Sequence, residues 1–217
     1  MGLFDALKKT AADAVKGAVQ STVSTAAGNV NHAVRSSAQS AVNSLGQAVK
    51  NAANKTERFS FPALPQSLEE MKTLPEAALT SPFQAAALTV CALCVFGEDK
   101  AAGSEMLNFL KGPQPLTPRE LQFIADRFMD GRKYVPRSYF DGAAPDNDYT
   151  PAQPYAISIS DNPYSYQEEN YATLYIRSGG ADSPRQVKLR RKGEQWFLWE
   201  QFLLTDVRTP KSADPWA

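Results

Sequence analysis

The residue types that carry most enzyme chemistry are sparse in this chain of 217 residues. Its one histidine, His32, lies in a segment whose composition is unlike that of a folded domain. The rest of the chain therefore contains no Ser-His-Asp or Cys-His arrangement and no His-ligated zinc site. From these residues we predict no catalytic residue, no metal site and no cofactor.

The two cysteines, Cys91 and Cys94, have the CxxC spacing of many redox and zinc sites. A reactive thiol of this kind lies at a helix N-terminus, where the helix dipole lowers its pKa. Here the flanking sequence Leu88–Phe96 is mostly apolar, and the helix that contains it is expected to begin near Ser81. We interpret both cysteines as buried thiols of the core.

Tyrosine is concentrated in one stretch, because all eight tyrosines lie between Tyr134 and Tyr175, interleaved with prolines. Tyrosines on loops provide rigid contact area for a partner, and the same rings could instead hold a long loop against a sheet. The candidate partner-binding residues are Tyr134, Tyr139, Tyr149, Tyr164, Tyr166 and Arg190. A competing interpretation is an enzyme whose site uses carboxylates, tyrosines and arginines of region 134–175.

Arg190 belongs to a basic hairpin whose other cations are Arg185, Lys188, Arg191 and Lys192. Such a cluster either binds an anionic partner or forms a solvated hairpin that protects a sheet edge. The whole chain has 23 basic and 23 acidic residues, so its formal net charge is zero. A protein that coats nucleic acid needs a basic excess, and we therefore expect no nucleic acid partner.

The zero net charge hides two unlike parts. Residues 1–55 contain six Lys or Arg against two Asp and carry +4, so the remainder carries −4. All 15 prolines and 21 of the 22 aromatic residues lie in the remainder. We assign residues 1–55 to an amphipathic helical tail, 56–66 to a linker, 67–131 to the helical half of one globular domain and 132–217 to its loop and β-sheet half.

The tail has an 11-residue period. Phe4, Val15, Ala26 and Ala48 follow it, with an interruption at Ser37. Eleven residues make three helical turns of about 3.67 residues, so the apolar stripe runs almost straight along an α-helix. Fully helical, the tail would be about 80 Å long, whereas a domain of the remaining size is about 30–40 Å across. The helix therefore needs a second surface, or remains partly disordered.

A membrane is one such surface, because the bulkiest apolar residues of the tail stand at its start beside lysines. The predicted membrane-contact residues are Leu3, Phe4, Leu7, Lys8, Lys9, Val15 and Lys16. The apolar side chains would enter the acyl boundary while the lysines meet anionic headgroups. In its period and polar face the tail resembles the 11-residue-repeat helices that lie on membrane surfaces. The alternatives are self-association through residues 1–55 as a right-handed coiled coil and a solvated tail.

Beyond the tail, helix signals come first. Capping boxes at Ser67 and Thr117 indicate two helix starts, and Ser81-Pro82 places a proline at the first position of a third helix. A further helix is expected between Glu98 and Lys111. These elements predict a helical subdomain of about four helices.

Strand signals follow the helices. Alternating and β-branched residues separated by short turns predict four strands. Their ranges are 155–160, 171–176, 186–191 and 195–202. Because the turns between consecutive strands are short, we predict a four-stranded antiparallel meander. Helices followed by strands give an α+β fold class.

Four stretches of the folded part carry a resemblance to a known family. They are Phe61–Glu70, Pro82–Ala86, Met106–Leu116 and Gly193–Glu200. Over about residues 59–217 the chain resembles domain of unknown function 6935, an uncharacterised family of gut clostridia. The resemblance implies a recurrent bacterial domain, and it brings no activity, cofactor or catalytic residue to this chain.

These features predict a bacterial interaction protein with a peripheral membrane-associating helix at its N-terminus. We expect the chain in the cytoplasm, at the inner face of the membrane, because its first residues lack the apolar core of a signal peptide. The expected partners are an anionic membrane surface, a second copy bound through residues 1–55 and a protein that the sequence does not identify. The competing functions are the enzyme described above and a structural oligomer assembled through residues 1–55.

Overall fold

The computed structural model describes residues 54–216. The predicted long helix of the tail therefore lies outside the described residues. In chain order the elements are β1 (Thr56–Phe61), α1 (Leu68–Thr73), α2 (Pro82–Glu98), α3 (Lys100–Lys111), α4 (Pro118–Arg127), α5 (Tyr134–Arg137), β2 (Tyr155–Ser160), β3 (Tyr171–Ile176), β4 (Arg185–Lys192) and β5 (Gln195–Gln201). Short 3₁₀ helices, of which one spans Pro75–Ala78, lie in the connections. The mixture of helices and antiparallel strands confirms the α+β class.

Helix α2 forms the centre of the core. Ser81 caps its first turn in a capping box with Gln84, and Pro82 occupies its first position. From Pro82 to Phe96, every residue except Gln84 is buried. A helix that is apolar on all sides must be covered on all sides. Strands β2 to β5 contact it, and away from the sheet α3, α5 and the 3₁₀ helix at Pro75–Ala78 complete the cover.

The sheet has the strand order β1-β2-β3-β4-β5, and all neighbouring strands are antiparallel. On β3 and β4 the completely buried Leu174 and Leu189 alternate with less buried residues such as Tyr171 and Arg190. Successive side chains of a strand point to opposite faces. One face of the sheet therefore packs against α2, and the opposite face carries the polar and charged residues.

The sheet has one strand more than the four that the sequence predicts. Strand β1 occupies part of the segment 56–66 that we assigned to a linker, and it pairs with β2 from Thr56, opposite Ser160, to Phe61. Phe61 is completely buried and Phe59 packs against the core. The partner strand is almost a hundred residues away, so no short turn sequence between the two strands predicts their pairing. A six-residue strand with two aromatic residues is also too short to give a clear alternation.

The long connection between α5 and β2 is part of the sheet layer. Strands β2 and β3 pair at two positions and then diverge. The connection fills the gap, where the Asp141 N–H donates to the Ala156 carbonyl over 2.8 Å. On the other side, the Gly179 N–H donates to the Ser138 carbonyl over 2.8 Å. The proline-rich and tyrosine-rich stretch is thus fixed in place by backbone hydrogen bonds.

Helices α2 and α3 approach each other at Gly103. An added Cβ atom at this position would lie 2.3 Å from the Cα atom of Phe96, so no side chain fits without separating the two helices. Elsewhere in a helix, glycine costs about 1 kcal/mol relative to alanine. The close contact explains why glycine occupies a buried position in the middle of α3.

We expect Gly103→Ala to lower the free energy of unfolding by about 3 kcal/mol, because overpacking against a backbone atom outweighs the gain in helix propensity. Urea unfolding followed by circular dichroism measures the change. The control is Glu105→Ala at an exposed position of the same helix, which should leave stability within about 0.5 kcal/mol. A Gly103→Ala protein as stable as the parent would contradict the observed packing.

Candidate functional site: a basic and aromatic cleft

Trp199 is the extra residue of a β-bulge in β5. Lys188 and Leu189 are adjacent on β4, yet they pair with Glu200 and Leu198, which are two residues apart. A bulge bends its strand and redirects a side chain, and bulges are frequent beside binding sites. Leu198, its neighbour, is buried in the core, and the Trp199 ring lies beside residues of the polar face, as the alternation of side chains along a strand requires.

Arg190 is held by two aromatic rings. Its guanidinium carbon lies 4.8 Å from the centroid of the Trp199 ring and 5.4 Å from the centroid of the Tyr171 ring. The two rings contact each other edge to face, with centroids 5.6 Å apart. Cation–π contacts of this kind orient a guanidinium group without occupying its N–H donors.

The N–H donors of Arg190 have no hydrogen-bond acceptor among residues 54–216. Its neighbours differ, since Lys188 forms an ion pair with Glu168 at 2.7 Å and the Arg191 Nε donates to the Gly193 carbonyl. Arg190 is also exposed. It is therefore an oriented cation whose hydrogen-bonding capacity is available to a ligand.

Lys111, the last residue of α3, contacts both the bulge residue Trp199 and Glu120 of α4. Its Nζ atom donates to the Trp199 carbonyl over 3.2 Å and forms an ion pair with Glu120 at 3.1 Å. Gly112 ends α3 with a φ of 62°, and an added Cβ atom there would lie 2.3 Å from the ring of Phe197. The connection between α3 and α4 therefore lies directly against β5.

A cavity of about 470 Å³ opens between this connection and the β4–β5 hairpin. Its polar and aromatic lining consists of Lys111, Gln114, Arg190, Arg191, Lys192, Phe197 and Trp199. The volume lies within the range of ligand sites in proteins. Because three cations of β4 line it and Lys111 is already paired with Glu120, the cleft favours an anion that contacts Arg190, Arg191 or Lys192.

Two of the six candidate partner-binding residues are interior. Tyr139 and Tyr149 are 3% and 0% exposed, and their hydroxyl groups donate to the carbonyl groups of Leu203 and Arg208. Burial raises the pKa of the Tyr139 hydroxyl well above its usual range and that of Tyr149 to about 12. These two rings do not belong to a partner-binding surface, because they attach the long connection to the C-terminal segment. Tyr134, which is half-buried, stacks on Tyr149.

The other candidates lie in two places. Tyr164 and Tyr166, on the connection between β2 and β3, are 62% and 49% exposed and do not line the cleft. Arg190 is the one candidate that the structure places in the cleft. The candidates did not include Tyr171 and Trp199, which the register of the strands brings to Arg190, or Lys111, which the packing of α3 against β5 brings to the cleft.

The predicted membrane-contact residues of the tail are outside the part of the chain that the structure describes. They are Leu3, Phe4, Leu7, Lys8, Lys9, Val15 and Lys16. Of the helices within residues 54–216, none has the length and apolar character needed to cross a bilayer.

A second cavity, of about 660 Å³, contains the carboxylate of Glu98. Glu98 forms ion pairs with Lys133 and Arg137, each at 2.9 Å. The hydrogen bond from Lys133 is the main reason why the pKa of Glu98 lies below its usual range. A general acid at neutral pH needs a raised pKa instead. Glu98 therefore acts as a structural ion-pair partner that links the end of α2 to α5.

The two cysteines lie within α2, as the sequence predicts. Cys91 is completely buried and Cys94 is 8% exposed. Burial raises the pKa of both thiols, to about 12 for Cys94. A thiol with a raised pKa is a weak nucleophile. Among residues 54–216, no group of three or more His, Cys, Asp or Glu side chains is arranged to hold a metal ion.

Comparison with known proteins identifies a family. A family model described as "Domain of unknown function (DUF6935)" matches residues 63–211, well over half of the chain. The matched segment contains every residue of the cleft and begins just after β1. No curated protein and no solved structure matches the chain.

Proposed function

The chain belongs to the DUF6935 family, and from this premise we propose that it is a binding protein with two attachment points. Its folded domain takes an anionic partner in the cleft beside Arg190, and its N-terminal segment associates with an anionic membrane surface. The proposal of an anion site rests on the Arg190 guanidinium, which two aromatic rings orient beside a cavity of about 470 Å³. Its N–H donors have no acceptor among residues 54–216.

The chemistry of the cleft supports an oxyanion as the group that Arg190 recognises. A guanidinium group presents a planar fork of donors that matches a carboxylate or phosphate. Arg191 and Lys192 add positive charge on the same wall. Residues 56–217 carry a net charge of −4, so this basic cluster is a local exception that would direct an anion to the cleft.

A binding role is favoured over the alternative of an enzyme in region 134–175. Two tyrosines of that region serve as interior supports, and the carboxylate of Asp141 in the same region is paired with Arg58 at 2.8 Å. Charged groups that are satisfied by each other are poor candidates for acid–base catalysis. The lining of the cleft, in contrast, consists of cations, rings, Gln114, Pro113 and Leu198, and contains no Asp, Glu, His, Cys or Ser.

The membrane association is proposed from the sequence of the tail. Leu3, Phe4 and Leu7 provide a compact apolar group, and Lys8 and Lys9 follow directly. An amphipathic helix of this kind binds reversibly at a membrane interface, more strongly where lipids are anionic. This proposal assigns the protein to the inner face of the membrane. Assembly of residues 1–55 into an oligomer is the competing role of the tail.

The cleft proposal is tested with poly-L-glutamate as a carboxylate-rich probe of the full chain. We expect binding that weakens as salt is raised. Arg190→Gln should weaken it at least about tenfold, since a charged hydrogen bond contributes about 1.5–3 kcal/mol and each 1.4 kcal/mol is a factor of ten in affinity. Isothermal titration calorimetry measures both. The matched control is Arg177→Gln, an exposed arginine that does not line the cleft. Equal affinities of the two variants would contradict the proposal.

The tail proposal is tested by sedimentation with phosphatidylglycerol vesicles and circular dichroism. The full chain should pellet and gain helix content, whereas a chain that begins at Lys55 should do neither. Phe4→Ser should reduce binding, and Ala27→Ser, off the apolar stripe, should not. Unchanged helix content without pelleting would rule out membrane association. Helix content that rises with protein concentration in the absence of lipid would favour the oligomer.

A further inference from the structure

The cleft is one end of a longer groove beside β5. Two further cavities, of about 520 and 250 Å³, adjoin the first, and both Lys111 and Trp199 line all three. Glu120 and Glu200 line the second and the third. We call this continuous depression, which runs from Lys192 past Trp199 to Phe202, the β5 groove.

The two ends of the β5 groove differ in chemistry. The end described above is lined by three cations of β4. At the opposite end, Phe123 and Phe202 are 53% and 50% exposed beside Leu116 and Ile124. Exposed aromatic residues at the edge of a concave surface are typical of protein–protein contact sites. The groove therefore has a basic end, a polar middle and an apolar end.

We propose that the β5 groove binds an extended peptide segment of a partner protein, with acidic residues at the basic end and a bulky apolar side chain at the other. The inference rests on the proposed anion-binding function and deepens it by naming the partner class. The groove follows β5 from Phe197 to the end of the strand at Gln201 and continues to Phe202, and five residue steps of about 3.3 Å each span about 16 Å. A segment of about five residues therefore reaches both ends.

The polar middle favours a peptide over an acyl chain. Glu120 already accepts hydrogen bonds from Lys111 and Thr117, whereas the exposed carboxylate of Glu200 accepts none from residues 54–216. An acyl chain laid along the groove would cover Glu200, and burying charge without a compensating hydrogen bond is costly. A peptide backbone offers N–H donors to this carboxylate. The apolar end, of about 250 Å³, is slightly smaller than typical ligand pockets and suits one side chain.

The peptide is held by side chains and not as an added strand. The outer edge of β5 is already engaged, because the Trp196 N–H donates to the Leu79 carbonyl over 2.8 Å and the Trp199 carbonyl accepts from Lys111. Pairing of a further strand, which needs a free row of backbone groups, is therefore blocked at these positions. Arg190 supplies the anchor for an acidic side chain, and Phe202 with Phe123 supplies the apolar contact.

The test uses the full chain and dye-labelled peptides in fluorescence anisotropy. Two peptides contain the same five residues, namely two glutamates, a Gly-Ser spacer and a terminal Phe, and one has the reverse order of the other. Two comparison peptides have Ala in place of Phe. We expect one Phe peptide to bind about tenfold more tightly than its Ala counterpart, as the burial of an aromatic side chain predicts. Phe202→Ala and Phe123→Ala should each reduce that gain.

Arg190→Gln should weaken all peptides that bind, whereas Arg177→Gln should weaken none. Phe and Ala peptides of equal affinity that both depend on Arg190 would overturn the peptide inference while the anion-binding function stands. The peptide inference would also be overturned if the higher affinity of the Phe peptide over the Ala peptide were unchanged in Phe202→Ala and in Phe123→Ala. If the parent chain binds neither poly-L-glutamate nor any of the peptides, the proposed function itself is overturned. If the full chain binds phosphatidylglycerol vesicles, Arg190→Gln abolishes that binding and no peptide binds, the groove is assigned to lipid.

Discussion

Burial of α2 on all sides is the constraint on which the rest of the structure depends. From Pro82 to Phe96 this helix offers solvent little more than one side chain, Gln84. The sheet covers it on one side, and the opposite face of the sheet is left to polar residues. Because α3 must also pack closely on α2 at Gly103, the end of α3 is brought against β5. The cleft is a consequence of this packing, formed where the α3–α4 connection meets the β4–β5 hairpin.

Three lysines of the domain differ from Arg190 in their partners. Lys111, Lys133 and Lys188 have carboxylate partners within about 3 Å, and they connect elements of the fold. Lys188 and Lys111 also lie over the Tyr171 and Trp199 rings, whereas Arg190 contacts the same two rings without a carboxylate partner among residues 54–216. A cation that contacts only rings keeps its N–H donors available to a ligand, whereas an ion-paired cation keeps its charge but has donors that are occupied. This difference distinguishes a binding group from a structural one without any reference to a known relative.

Local signals in the sequence predict most helices and strands well. Contacts between residues that are far apart in the chain cannot be predicted from such signals. Capping residues Ser67, Ser81 and Thr117 start helices as expected, and β2 and β3 have the predicted bounds. Strand β1 was missed because its partner is far along the chain. Of the residues that line the cleft, the sequence indicates only Arg190 as a partner-binding candidate, since the register, the bulge at Trp199 and the position of Lys111 depend on tertiary packing. The burial of Tyr139 and Tyr149 depends in the same way on where the long connection crosses the sheet.

The central claim, that the cleft beside Arg190 is where the domain binds an anion, is tested most directly by nuclear magnetic resonance of the tryptophan indole groups. The chain has three tryptophans: Trp199 lines the cleft, Trp196 does not, and Trp216 is 94% exposed. As poly-L-glutamate is added to the full chain, the indole N–H signal of Trp199 should shift progressively while that of Trp216 stays in place. A Trp199 signal that remains fixed while the probe binds would contradict the account.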